Sequence, residues 1–237
     1  MTEQEKQTLY TDVYELLDIY TEHSPIQSSS SCNADAVRAC IEAMLDYIAN
    51  DENEANALKN WMAGTDFWTA PASTRFHGNF KGGLCLHTLM VIKQSLEFAK
   101  PVLENYFTST EGMMNKYSIT ARDIFFAALC HDFCKTGFYG IEYRNTKDIT
   151  GNWVKTPVYK TKSENRNLGH GNESVLMMLE ILPDMVKNRM VIEAVSRHMG
   201  FSDLSDSETF NYSNFLQNPL VVLLQLADQT AAQWFSM

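Results

Sequence analysis

The stretch IFFAALCHDFCK, Ile124 to Lys135, runs an apolar segment straight into a histidine and an aspartate. A helix that is apolar on every side is a buried helix. Either the chain surfaces at His131, or something in its interior needs His131 and Asp132. Working outward, helical periodicity dominates. Leu9, Val13, Leu16, Leu17 and Tyr20 recur at three- and four-residue spacing, which predicts an amphipathic first helix. Further helices are expected over 35–49, 52–62, 83 to about 103, and 120–134, the last capped by Ser118 or Thr120. Others are expected over 171–182, 184–199 and 219–235, with Asn218 and Pro219 as cap and first-turn pair. SPIQSSSSCNADA (24–36) reads as a loop, and GTDFWTAPASTRFHGNFKGG (64–83) as a long connection of the kind that often carries function. Between about 139 and 162 the texture changes to Tyr, Ile, Thr, Val and Trp around a Thr-Gly-Asn turn, predicting a β-hairpin. The fold class is therefore all-α with a small hairpin insertion.

Composition bounds the function. Hydrophobic residues make up 45% and charged residues 20% of 237 residues, ordinary for a globular protein with a sizeable core. The longest apolar run, PLVVLLQLA, is too short to span a bilayer, so no membrane association is expected. The start, MTEQEKQTLY, is polar and unlike a signal peptide. Five cysteines without zinc-ribbon pairing suit free thiols in a reducing cytoplasm. Acidic residues outnumber basic ones 29 to 19, a net charge of −10. That excess disfavours long nucleic acid as a partner and favours a small anionic substrate met by a local basic pocket.

Four of the six histidines, His87, His131, His170 and His198, lie in or beside apolar helical patterns: GGLCLHTLMVI, FFAALCHDF, LGHGNESVLMML and VIEAVSRHMGF. Asp228 lies against the stripe of Leu220, Leu224, Ala227 and Ala231, where an ionised carboxylate is costly unless paired or metal-bound. Singly, such a histidine is commonly a hydrogen-bonded core residue, and such an aspartate a helix cap or an arginine's partner. Together they ask for a divalent cation, which neutral imidazoles and carboxylates bind. The mixed nitrogen and oxygen set points to one or two ions of Mn, Fe, Co, Ni or Zn. Adjacent helical side chains point about 100° apart, so His131 and Asp132 converge only near a helix end or on two neighbouring ions.

These residues resemble the HD-domain superfamily of metal-dependent phosphohydrolases. The matching segments are GGLCLHT (His87), ALCHDFCK (His131, Asp132, Lys135) and QLADQTA (Asp228), covering about Pro71 to the C-terminus. LGHGNES (His170) and RHMG (His198) are similar to the extra histidines of two-metal members. PASTRFHGNFKGG looks like the lead-in of the HD domains of bacterial 3′–5′ exoribonucleases and their uncharacterised relatives. The resemblance implies a helical HD domain over 71–237; residues 1–70 lie outside it and are expected as an N-terminal helical region packed on that domain. It also implies one metal on His87, His131, Asp132 and Asp228, a second on His170 and His198 with Asp132 bridging, and a bridging hydroxide that attacks phosphorus. Two departures stand out: Arg197-His198 where some members carry two histidines, and Cys134 where a glycine is frequent.

Lys135 is expected to meet a substrate phosphate as a point charge, or else to complement a helix end as a solvated lysine. Arg75, His77, Lys81, Arg166 and Arg197 are further phosphate-contact candidates, each with a surface or structural role as the alternative. Tyr139, Tyr143, Arg144, Trp153, Tyr159 and Lys160 of the hairpin read equally as a base-stacking and phosphate-guiding arm or as cross-strand pairs and an oligomer contact. Cys130 and Cys134 read as packing residues, and Met177, Met178, Met185 and Met190 as core filler. The expected function is hydrolysis of a nucleotide or short-oligonucleotide phosphoester, with Asp132 and Lys135 at its centre, in a monomer or homo-oligomer. The alternatives are a di-iron oxygenase on the same ligands and a catalytically silent nucleotide sensor.

Overall fold

The computed structural model describes residues 1–23, 26–28, 31–115, 117–162 and 168–235. In chain order the elements are α1 (Glu3–His23), a ribbon of β1 (Ile26–Ser28) and β2 (Ser31–Cys32), α2 (Ala34–Ile48), α3 (Glu52–Gly64) and α4 (Gly83–Thr108). There follow α5 (Thr110–Asn115), α6 (Ala121–Cys130), strands β3 (Tyr139–Lys147) and β4 (Trp153–Thr161), and α7 (His170–Ile181). The chain closes with α8 (Arg189–Arg197), the one-turn helices α9 (Asp206–Thr209) and α10 (Tyr212–Phe215), and α11 (Pro219–Trp234). Turns of 3-10 helix lie at Phe133–Lys135, Pro183–Lys187 and Gly200–Asp203.

The apolar run is buried as its composition requires: Ile124 to Cys130 are at most 1% exposed. α6 begins with a reciprocal capping box in which Thr120 accepts from the Asp123 N–H and the Asp123 carboxylate accepts from the Thr120 N–H. Around it pack α4, α8 and α11, with α1 and α2 on the N-terminal side. The first half of α4 is buried almost all round, from Gly83 to Ile92, which places His87 at the centre of the molecule. Leu9, Val13 and Leu16 of α1 join the same hydrophobic core as Phe125, Phe126, Leu223 and Leu224. The first 70 residues thus share their core with the rest of the chain. Met178 and Met185 lie in that core, and Met177 and Met190 pack against it.

Several expected boundaries move. The helix expected to run to Cys134 stops at Cys130, and the chain turns through His131 and Asp132 into 3-10 geometry. The helix expected over 184–199 is a 3-10 turn followed by α8, because Asn188 accepts from the Val191 N–H and starts a new helix there. α4 continues past its expected end to Thr108, with Pro101 inside it. The serine-rich loop contains the β1–β2 ribbon, paired antiparallel. The hairpin is where it was expected: β3 and β4 pair antiparallel in unbroken register from Tyr139 opposite Thr161 to Lys147 opposite Trp153. Among the described residues no helix is long and apolar enough to cross a membrane.

Candidate metal centre

Five segments bring the expected ligands together, and two of them do so by the same local device. The last carbonyls of a helix have no intrahelical partner. His131 follows the last residue of α6, and its Nδ1 lies 2.7 Å from the Ala128 carbonyl. His198 follows the last residue of α8, and its Nδ1 lies 2.7 Å from the Val195 carbonyl. A carbonyl only accepts, so both Nδ1 atoms carry a proton and each Nε2 is the ring atom left to face inward. His87 comes from the buried half of α4, Asp228 from α11 and His170 from the first residue of α7. α7 and α8 approach closely at Gly171, where a Cβ would sit 2.2 Å from the Ser196 carbonyl oxygen. That glycine sets His170 beside His198.

The inward atoms lie at the spacing of a coordination shell. His87 Nε2 is 3.0 Å from Asp228 Oδ1, 3.4 Å from His131 Nε2 and 3.5 Å from Asp132 Oδ2. His131 Nε2 is 3.2 Å from Asp132 Oδ2 and 4.0 Å from Asp228 Oδ1. Metal–nitrogen and metal–oxygen bonds near 2.1 Å place neighbouring donors about 3.0–3.5 Å apart, so all of these distances but the 4.0 Å one match polyhedron edges. On the other side of Asp132, Oδ1 is 3.5 Å from His170 Nε2 and 3.7 Å from His198 Nε2. Asp132 Oδ1 and His198 Nε2 are buried and have no hydrogen-bond partner among the described residues. A carboxylate oxygen whose nearest donor, His170 Nε2, stands 3.5 Å off, facing an unpartnered imidazole nitrogen, is costly to bury. A divalent cation between them satisfies both, so the residues present fit a metal ion, with Asp132 shared between two groups of ligands.

The charges agree with that geometry. Burial works against ionising Asp132, yet the charges of Lys135 and His131 and the contacts with His131 and His170 hold its carboxyl well below the usual range. Asp228 is likewise lowered against burial by its bond to His87 and by the charges of His87, His131 and His198. Burial opposes charging His131, but Asp132 and Asp228 raise it. In His87 burial prevails over Asp228 and the value falls. Burial opposes a charged His170 too, but its bonds to Asp132 and Cys134 and their charges lift it to about 10. In the metal-free chain, protons on imidazoles supply the positive charge that two buried carboxylates demand.

His170 is raised above the ordinary 6.5, so the stability its charged ring gives the metal-free protein is whole below 6.5 and lost as pH rises through about 10. A cation that takes its Nε2 must displace that proton. Metal uptake near neutral pH is expected to release protons and to tighten as pH rises towards 10. Calorimetry in buffers of different ionisation enthalpy measures this; heats independent of buffer contradict it.

The remaining candidates divide. Lys135 is buried in the 3-10 turn with its Nζ 2.6 Å from Asp132 Oδ2, and Asp132 raises it although burial opposes the charge. It is thus neither solvated nor free of an acidic partner. His77 lies with its ring centroid 4.7 Å from that of His87; burial, then the charges of His87 and Lys135, push it down to about 4. Arg75 and Lys81 are exposed on the connection before α4. Arg197 pairs with Glu208 at 3.0 Å and lies over the Phe215 ring, a bond between α8 and the α9–α10 region. Arg166 falls outside the described residues. Only the base of the hairpin adjoins the centre: Tyr139 donates to the Ala72 carbonyl, and the Phe138 ring stands edge-on to His170. Further out, Tyr143 pairs with Pro157 and Trp153 lies under the Lys147 ammonium. A cavity of about 800 Å³ is lined by Asn50, Glu54, Arg122, Met185 and Asn188 and touches none of the ligands.

One neighbour was read differently from sequence. The donor atoms of Asp132, Cys134 and His170 lie within 4.8 Å of one another, so Cys134 faces the centre as well as packing. No protein-family model, curated protein or solved structure matches this chain. What it does must be argued from this site.

Proposed function

We propose that this chain is an HD-type, metal-dependent phosphohydrolase acting on a nucleotide or short oligonucleotide. The observation that carries the proposal is the pair of histidines whose Nδ1 atoms are spent on helix-end carbonyls, so that both Nε2 atoms turn towards one buried carboxylate. His87, His131, Asp132 and Asp228 would hold one transition-metal ion, and His170 and His198 a second that shares Asp132. Bound ions of this kind supply Lewis acidity towards phosphoryl oxygens and an activated water.

The chain's own residues do the rest. Lys135 gives one of its three N–H donors to Asp132 and can present the others to a phosphoryl oxygen, adding a fixed positive charge to the site. Neutral His77 beside His87 offers a hydrogen bond to the ester without adding charge. Asp228 and His170 have the most exposed side chains of the ligand set, at 18% and 27%, so substrate approaches from their side. The acidic exterior repels a long polyanion and leaves a small phosphoester as the fitting substrate.

Protein purified without chelator is expected to carry near-stoichiometric transition metal and to hydrolyse members of a nucleotide and dinucleotide panel in Mn²⁺. His131→Ala should lose metal and hydrolysis with its circular dichroism unchanged. Full phosphoesterase activity in metal-free protein would overturn the proposal.

A further inference from the structure

Cys134 stands in the 3-10 turn two residues beyond Asp132, 4% exposed, where its thiol faces the centre. Its donor atom and those of Asp132 and His170 all lie within 4.8 Å of one another, near the separation of donors that share one ion. Two independent features say that an ion belongs there. Asp132 Oδ1, in a residue only 2% exposed, has His170 Nε2 at 3.5 Å but no hydrogen bond of good geometry among the described residues, and His198 Nε2, 3.7 Å from it, has no hydrogen-bond partner there either. The turn is also fastened in place: the Cys134 N–H donates to Ser174 Oγ at 3.2 Å, tying the cysteine to the helix that begins with His170. Cys130 shares none of this and lies wholly within the apolar core.

We infer that Cys134 Sγ is a ligand of the second cation, completing a set with His170, His198 and Asp132. The inference rests on the two-cation reading above and adds a soft donor to it. On ligation the thiol proton leaves to solvent and the thiolate binds the ion. A nitrogen, oxygen and sulfur set selects a thiophilic ion such as Zn²⁺ or Co²⁺ over Mn²⁺ or Mg²⁺. The first site, with two imidazoles and two carboxylates, has no such bias. The two sites are therefore unlike, and one protein molecule can hold two different metals.

The test is spectroscopic. The full chain, stripped of metal and given two equivalents of Co²⁺, is expected to show a thiolate-to-cobalt charge-transfer band in the near ultraviolet. The band should vanish in Cys134→Ser and persist in Cys130→Ser. Should Cys134→Ser fail to fold, zinc-edge X-ray absorption of the wild-type chain with one equivalent of Zn²⁺ decides: a sulfur scatterer at about 2.3 Å is expected. Bound cobalt without the band, a band that survives Cys134→Ser, or a zinc shell of nitrogen and oxygen alone overturns the assignment. Phosphoester hydrolysis by the same cobalt-loaded sample separates the two ideas. Hydrolysis without the band removes only the cysteine, whereas a chain that takes up no cobalt removes the metal reading too.

Discussion

Asp132→Asn is expected to strip the protein of both metals and to lower kcat/KM by at least about a thousandfold, which is about 4 kcal/mol of transition-state stabilisation. Among the described residues no other carboxylate has so many ion-pair partners: its two oxygens face His87, His131 and Lys135 on one side and His170 and His198 on the other. Asparagine keeps the shape and removes the charge that both groups of ligands share. It also leaves the Lys135 ammonium buried without a counter-charge, and breaking a buried ion pair costs about 3–5 kcal/mol. Thermal unfolding of the metal-free variant should reveal that second loss apart from metal. A variant that retains two equivalents of metal and ordinary turnover would mean that Asp132 is not the shared ligand.

The second large effect is expected from a methyl group far smaller than any ligand. In Gly171→Ala the new Cβ meets the Ser196 carbonyl oxygen at 2.2 Å and the Val195 carbonyl oxygen at 2.8 Å, and neither atom can rotate away. α7 and α8 must move apart, at a cost of about 1–3 kcal/mol. In a chain of this size that lowers Tm by about 2–12 °C. Because His170 opens α7 and His198 ends α8, the same displacement separates the ligands of the second group. Elemental analysis should show one metal equivalent lost while the first is kept. An unchanged Tm together with two bound metals would sink this account of the α7–α8 contact.

Much of this was legible in the sequence. The all-apolar run of α6 announced a buried central helix, and Asp228 against an apolar stripe announced a buried carboxylate in need of a partner. The six metal-ligand candidates, His87, His131, Asp132, His170, His198 and Asp228, form one cluster. What periodicity could not supply was where a helix stops. Read as continuous helix to residue 134, Asp132 and Cys134 point about 200° apart and cannot serve one ion; with the helix ended at Cys130, the 3-10 turn puts both beside His170. The same ending brings Lys135 onto Asp132 instead of one helical turn beyond His131. Arg197 takes the structural role that stood as its alternative, through a partner the sequence does not point to. Its partner Glu208 lies eleven positions on, in α9, and nothing local in the sequence signals that pairing.

The placing of Asp228 on α11 has a consequence for how the protein comes into being. His87, His131 and Asp132 leave the ribosome long before the helix that lies against α4 and supplies the fourth donor. On the proposed reading a nascent chain would carry an incomplete chelate, open on the side that α11 later covers. If the centre holds metal as proposed, tight capture at the first group of ligands would wait until α11 docks, so the identity of that ion would be settled by what the finished fold meets rather than by what first reaches the growing chain.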